Sequence, residues 1–338
     1  MKRKYILLIL LLPGALILAQ EVTKTGTTAA SFLNIDVGAR GVAMGSAFVS
    51  AAEDVTGLYW NPSGIARMKQ GEAIFSHTRW IADIAFNYAA IAVPLGGIGA
   101  LGASATFLTM DEMERTTVLL PEGTGETFTA GSYAFGLHYA KNLTDRFSIG
   151  FGVKYVNEKI YHSMSQGVAF DVWTLFDTQF NGVKLGMSIT NYGTKMRLAG
   201  QDMLLQTDID PLRAGNNNTI NANLQTDAYD LPLMFRVGLS VDVLKGIGDS
   251  NLLLCVDALH PNDDVEMLNV GAEYMFQRMI CLRAGYKSLF AEDSEEGLSL
   301  GGGFQYRIRG AATLFFDYAY HDFGVLNSIQ KFSLRLGF

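Results

Sequence analysis

Past residue 70 the chain sorts its side chains by odd and even position for the rest of its length. Residues 147–156 place Phe147, Ile149, Phe151, Val153 and Tyr155 on odd positions, with Ser148, Gly150, Gly152, Lys154 and Val156 between them. Residues 298–308 invert the phase: Leu298, Leu300, Phe304, Tyr306 and Ile308 alternate with Ser299, Gly301, Gly303, Gln305 and Arg307. In 233–243, Leu233, Phe235, Val237, Leu239, Val241 and Val243 stand opposite Arg236, Gly238, Ser240 and Asp242. The same split recurs at 133–139, 183–190, 268–276, 280–287 and 312–320. Successive side chains of an extended strand point to opposite faces, so a period of two makes one face apolar and the other small or polar.

These segments run about 9 to 13 residues, longer than the roughly 5 or 6 of a globular strand and right for a tilted bilayer crossing. Their ends carry Tyr139, Phe147, Tyr155, Tyr274, Phe276, Tyr286, Tyr306 and Tyr320, as interfacial aromatic girdles require. A soluble sandwich also alternates. Charged residues, however, make up only 17% of the chain against 49% hydrophobic, below the roughly 25% charge usual for soluble domains. The expected fold is therefore all-β, a transmembrane antiparallel up-and-down β-barrel occupying 71–338. About fourteen strands are expected: 72–80, 84–93, 98–109, 130–140, 146–159, 165–177, 180–192, 231–244, 250–260, 265–276, 279–288, 297–308, 310–320 and 329–338. An even number is the rule for single-chain bacterial barrels.

The connections sort into two classes. Those after even-numbered strands are short: 94–97, 141–145, 178–179, 245–249, 277–278 and 309. Those after odd-numbered strands include 110–129, 193–230, 289–296 and 321–328. Short turns face the periplasm and long loops the exterior, which predicts both termini on the periplasmic side. The final strand alternates and ends on Phe338, a terminal aromatic resembling the signal read by the barrel-assembly machinery.

Ahead of the barrel, Lys2, Arg3 and Lys4 precede an apolar run from Tyr5 to Ala19. This predicts a signal peptide at 1–19, too short for a membrane span and with no cysteine after it to carry a lipid. No later stretch is long and apolar enough for a helical span. Three of the 26 basic residues and no acid fall within 1–19, leaving 23 basic against 33 acidic residues, a net of −10. Such a balance argues against nucleic acid as a partner. Cys255 and Cys281 fall on non-adjacent strands, which favours free thiols over a disulfide.

Residues 20–70 break the pattern. After a polar lead-in, residues 36–67 are dense in Gly and Ala, with a short helix expected over Gly41–Asp54. The Trp60-Asn61-Pro62-Ser63-Gly64 turn has a cap residue followed by proline at the first helical position. The expectation is a plug folded inside the barrel. Its residues Asp54, Trp60, Asn61, Pro62 and Gly64 either fix the turn or form a movable gate.

The motif from Gly38-Ala39-Arg40-Gly41 through Met44-Gly45-Ser46-Ala47-Phe48-Val49 to Leu58-Tyr59-Trp60-Asn61-Pro62-Ser63-Gly64 resembles that of the PorV/PorQ family. FadL-type transporters have a similar Asn-Pro-Ala hatch turn, with Ala where this chain has Ser63. The resemblance covers roughly 30 residues and implies a fourteen-stranded outer-membrane barrel with a hatch. PorV-like members hold cargo of the type IX secretion system at the cell surface; FadL-like members pass hydrophobic molecules. Expected partners are therefore outer-membrane lipid or lipopolysaccharide, the assembly machinery, and either secretion components and cargo or a hydrophobic ligand.

Inward parity gathers Lys154, Lys184, Arg236, Arg283, Arg307 and Arg335 with Asp171, Asp242, Asp257, Glu273 and Asp317. These are expected to form a lumen charge network. Acids crowd the outer loops (Asp111, Glu112, Glu114, Asp202, Asp208, Asp210, Asp263, Asp264, Glu292, Asp293, Glu295 and Glu296), without the regular spacing of a calcium loop. No metal, cofactor or catalytic residue is expected. Gly97–Gly102 fits a dinucleotide pattern and Gly297–Gly301 a nucleophile elbow, but each sits beside or within a strand rather than a strand-to-helix turn.

Overall fold

The computed structural model describes residues 24–338 apart from 214, 216, 218, 245–248, 292–293 and 309–311. The expected signal peptide, most of the turn at 245–249, the turn at 309, and Glu292, Asp293, Asn216 and Asn218 lie outside the described residues.

Fourteen long strands form one closed antiparallel barrel. They are β1 (Glu72–Arg79), β2 (Ala85–Pro94), β3 (Ala100–Thr109), β4 (Ala130–Asn142), β5 (Phe147–Ile160), β6 (Ser163–Asp177) and β7 (Lys184–Gly193). The circuit continues with β8 (Met234–Asp242), β9 (Asn251–Pro261), β10 (Met267–Phe276), β11 (Ile280–Leu289), β12 (Leu298–Ile308), β13 (Ala312–Asp322) and β14 (Ser328–Gly337). Each pairs with the next, and β14 pairs with β1 from Glu72↔Gly337 to Arg79↔Gln330, so no edge is left open. The expected boundaries hold to within four residues.

The two side-chain sets separate as the parity requires. Phe135, Leu137, Phe151, Leu282, Phe316 and Leu334 point outward and are exposed. Ser188, Asp257, Arg283, Ser299 and Lys331 point inward and are buried. Cys255 and Cys281 are free, buried and inward, on β9 and β11 with β10 between them.

Two register shifts interrupt the wall, between Phe170 and Val172 and between Leu268 and Val270. Each is bridged by the polar side chain at the skipped position. Asp171 Oδ1 accepts from Asn191 N at 2.6 Å, and Asn269 Oδ1 from Ser288 N at 2.9 Å. Asn191 and Ser288 take positive φ (64° and 56°) to aim those amides. Such bulges bend a strand locally while its ladder resumes on either side.

Two expectations need correction, and the long loops add structure that no expectation covered. The segment Gly41–Asp54 is not one helix: Ala39–Ala43 and Gly57–Trp60 are single short helices with turns between. Glycine and serine offer no continuous apolar stripe for a longer one to bury. The long loops carry structure of their own, with Met113–Glu114 paired to Thr127–Phe128 and Leu204–Thr207 to Ile220–Asn223. The largest difference concerns the amino-terminal side. Thr28 Oγ1 donates to Asp263 at 2.6 Å and Ala29 N to Asp230 O at 2.9 Å, both acceptors lying at the long-loop end. The described chain therefore starts at the loop end, runs down the lumen, and reaches the short-turn end just before β1. Phe338 lies at that opposite end, its N–H donating to Gly71 O at 2.9 Å.

Candidate functional site

Residues 30–65 form the packed interior of the barrel, with Ala39, Met44, Ala47, Phe48, Val55, Trp60 and Ile65 buried. Close approach to the wall is possible because glycines line it. A Cβ at Gly271 or Gly285 would collide with the Met44 backbone, and one at Gly186 or Gly238 with Val49. Gly45, at φ +61°, lies against the backbone of Tyr286.

Asn61 anchors the turn. It is fully buried, and its Nδ2 donates to Val49 O at 2.8 Å and to Thr174 O of β6 at 3.0 Å. Its Oδ1 accepts from Ser63 N at 3.2 Å and from Ser63 Oγ. This is the expected cap, with Pro62 at the first position of a 3-10 turn over Pro62–Arg67. Gly64 packs against Ala52 O where any Cβ would clash. Trp60 Nε1 donates to Val37 O at 3.0 Å, and the Arg236 guanidinium lies 5.2 Å from its ring centroid.

Ion pairs tie this segment to the wall, and they differ in part from the expected network. Seven residues form one chain of alternating sign: Glu72, Arg335, Asp54, Arg40, Glu273, Arg283 and Asp317. Its successive contacts are 3.1, 3.0, 2.7, 2.6, 2.6 and 2.6 Å. Each arginine sits between two carboxylates, so the lumen holds these charges largely neutralised. Glu53 meets Lys184 at 2.5 Å and Arg67 at 3.0 Å, and Arg67 meets Asp177 at 2.7 Å. Nearer the loop end, Asp36 contacts Lys287 at 2.6 Å and Arg236 at 3.8 Å. Lys154 pairs with Asp171 on the wall at 2.9 Å.

Burial alone would raise the pKa of Asp54, but Arg335 and Arg40 hold it well below the usual carboxylate range. Burial opposes ionisation of Asp36 too; Lys287 and Arg236 overcome it and keep this carboxylate depressed.

Three residues assigned to the network do other work. Asp257 accepts from the amides of Phe48 and Val49 at 2.7 and 2.9 Å, a contact with main chain rather than a cation. Asp242 binds Asn251 Nδ2 at 2.6 Å and the amide of Leu244 at 3.2 Å, closing the β8–β9 turn. Arg307 is exposed at the turn end and has no ion pair among the described residues. Conversely, parity reasoning passed over Glu72, Lys287 and Lys331, which share the inward phase of their strands. It had no means to find Asp36, Arg40, Glu53 and Arg67, which lie where no alternation exists.

At the loop end a cavity of about 540 Å³ opens beside the lead-in. Leu108, Met110, Ile160, Met196 and Leu198 supply apolar walls, Ala29 of the lead-in contributes one side, and Glu158 is a polar feature. The described residues hold no group of three His, Cys, Asp or Glu suited to an ion.

Among solved structures, a FadL homologue of Pseudomonas aeruginosa superposes with a TM-score of 0.53 at 12% identity, covering 89% of this chain and 98% of that one. The Ralstonia pickettii toluene transporter TbuX gives 0.55 at 11%, covering 89% and 97%. The monoaromatic hydrocarbon channel CymD gives 0.55 at 10%, covering 90% and 97%. Identities this low establish a common barrel and leave ligands open. No curated protein matches the sequence. The family model described as type IX secretion system protein PorV matches residues 18–223, more than half of the chain. With that match, the filled fourteen-stranded barrel and its apolar outer face, the chain is an outer-membrane protein belonging to the PorV family.

Proposed function

We propose that this protein binds secreted or partner proteins at the cell surface as part of a type IX-like secretion pathway, by non-catalytic contact through its outer loops. The observation that carries this reading is the apolar tips of those loops. Val118 and Leu119 of the β3–β4 connection are 98% and 90% exposed, and Leu212 of the β7–β8 connection is 98% exposed. Loops facing water gain nothing from bare valine and leucine, whereas a docking surface does. The filled lumen supports the same reading, since a buried, ion-paired interior suits a platform better than a pore.

A second reading, passage of a hydrophobic small molecule, is favoured by the 540 Å³ apolar cavity beside Ala29. In that case the Trp60–Gly64 turn acts as the movable gate below it. The test is a pull-down of the detergent-solubilised barrel with native lipids retained, read by mass spectrometry for proteins and small molecules together. Secreted proteins should co-purify with the wild type and be lost from a Val118→Asn, Leu119→Asn, Leu212→Asn variant that still assembles. Recovery of an apolar molecule with no partner protein would overturn the first reading in favour of the second.

A further inference from the structure

Among the described residues, one buried cation of the lumen has no direct ion pair. Lys331 of β14 is 2% exposed, yet among the described residues no carboxylate lies within ion-pair distance of its Nζ. The other buried basic side chains of the wall, Arg236, Arg283, Lys287 and Arg335, each have one at 3.8, 2.6, 2.6 and 3.0 Å. The Lys331 ammonium donates to the main-chain oxygen of Asp36 and lies 5.6 and 5.7 Å from the ring centroids of Trp80 and Phe86. An ammonium carries three N–H groups, and among the described residues only the Asp36 carbonyl accepts a hydrogen bond from this one, the rings lying too far to accept.

Lys331 lines a space of about 170 Å³ at the loop end, between the Asn34–Asp36 stretch of the lumen segment and β11, β13 and β14. His321 is a second wall. Its Nδ1 is engaged by Ser299 Oγ at 2.5 Å, which leaves Nε2 as the ring nitrogen open to a ligand. Asn34 and Ser31 add polar side chains of their own. The two acids nearby are engaged elsewhere: Asp36 Oδ2 is taken by Lys287 and Ser46, and Glu296 by Lys287 at 2.7 Å. Trp80 and Phe323 pack edge to face at 5.5 Å between centroids, forming an aromatic side to the same space.

We propose that this cavity binds the carboxylate of a small organic acid, with Lys331 as its counter-ion and the Trp80–Phe323 pair covering its apolar body. A buried ammonium is costly without an anion, and a carboxylate supplies both charge and acceptors. The space lies below the roughly 300 Å³ at which drug-sized pockets begin, so the ligand is an acid of few carbons or the carboxyl end of a longer chain. The site is distinct from the apolar cavity at Ala29 and independent of which partner the outer loops hold.

The test is calorimetric titration of the full barrel in detergent with phenylacetate, phenylacetamide, inorganic phosphate and a short peptide with a free carboxyl end. Phenylacetate should bind saturably at one site and the uncharged amide should not. Lys331→Met should weaken phenylacetate binding about tenfold or more, the range for a hydrogen bond to a charged group. His321→Gln should weaken it less; heat-modifiable gel migration checks that both variants are folded. A peptide that competes with phenylacetate identifies a chain end as the natural source, and one that does not assigns a free acid. Equal binding of acid and amide, unchanged binding in folded Lys331→Met, or binding of phosphate without phenylacetate would each overturn the proposal.

Discussion

Replacing Asn61 by alanine tests whether the lumen segment is held by its turn. The side chain makes four hydrogen bonds from a fully buried position, two of them to main-chain carbonyls on different elements. Alanine leaves Val49 O, Thr174 O and Ser63 N without this partner, while Ser63 Oγ can rotate to another. A stranded buried polar group costs about 1 to 3 kcal/mol. The low end applies here, because carbonyls tolerate partial satisfaction and the space vacated by the amide admits water. The sum is about 3 to 4 kcal/mol against seating of the segment. At about 1.4 kcal/mol per tenfold, the locally open form becomes at least about 100-fold more populated. Hydrogen exchange read by mass spectrometry on the protein in detergent should show peptides within 47–66 losing protection by that factor. Peptides from β1, β9 and β14 should keep theirs, since among the described residues the Asn61 side chain hydrogen-bonds the wall at Thr174 of β6. Unchanged exchange at 47–66, or equal loosening of every strand, would refute the reasoning.

Arg283→Met strands Asp317 and removes one of the two arginines on Glu273, so thermal unfolding followed by circular dichroism should show a loss of about 3 to 5 kcal/mol. Arg115→Met, which breaks the exposed pair with Glu126 at 2.5 Å, should leave the same transition in place. The depressed carboxylates of Asp36 and Asp54 give a pH dependence of definite sign. Their stabilisation is complete above the ordinary carboxylate pKa of about 4 and is lost as pH falls from there toward their lower folded values. Exchange of the lumen segment, corrected for intrinsic rate, should hold steady from about pH 7 to about pH 5 and accelerate below about pH 4. Finally, a cysteine at Thr27 should react with an impermeant maleimide on whole cells, whereas one at Asn181 in the β6–β7 turn should not; the native Cys255 and Cys281 are buried. Labelling of Asn181→Cys alone would reverse the assigned orientation.

The barrel was legible because its information is local. Whether Phe151 faces lipid depends only on the parity it shares with Phe147 and Val153, and that pattern survives any change in the partner strand. The Asn61–Pro62 cap was legible for the same reason, since its hydrogen bond to Ser63 spans two residues. The ion pairs were half legible. Parity placed Glu273, Arg283 and Arg335 in the lumen but could not say that Arg40 would join two of the acids or that Asp257 would hold amides instead of a cation.

What the sequence determined by itself is thus the two-sided strand, repeated about fourteen times, and with it the compartment. Only the tertiary structure decided the course of residues 24–70, from the loop end downward, and the partner of each buried charge. The physical reason is that a segment without periodicity takes its path from the surface it packs on. That surface, a ring of inward glycines and charges drawn from strands up to 295 residues away, exists only once β14 has met β1.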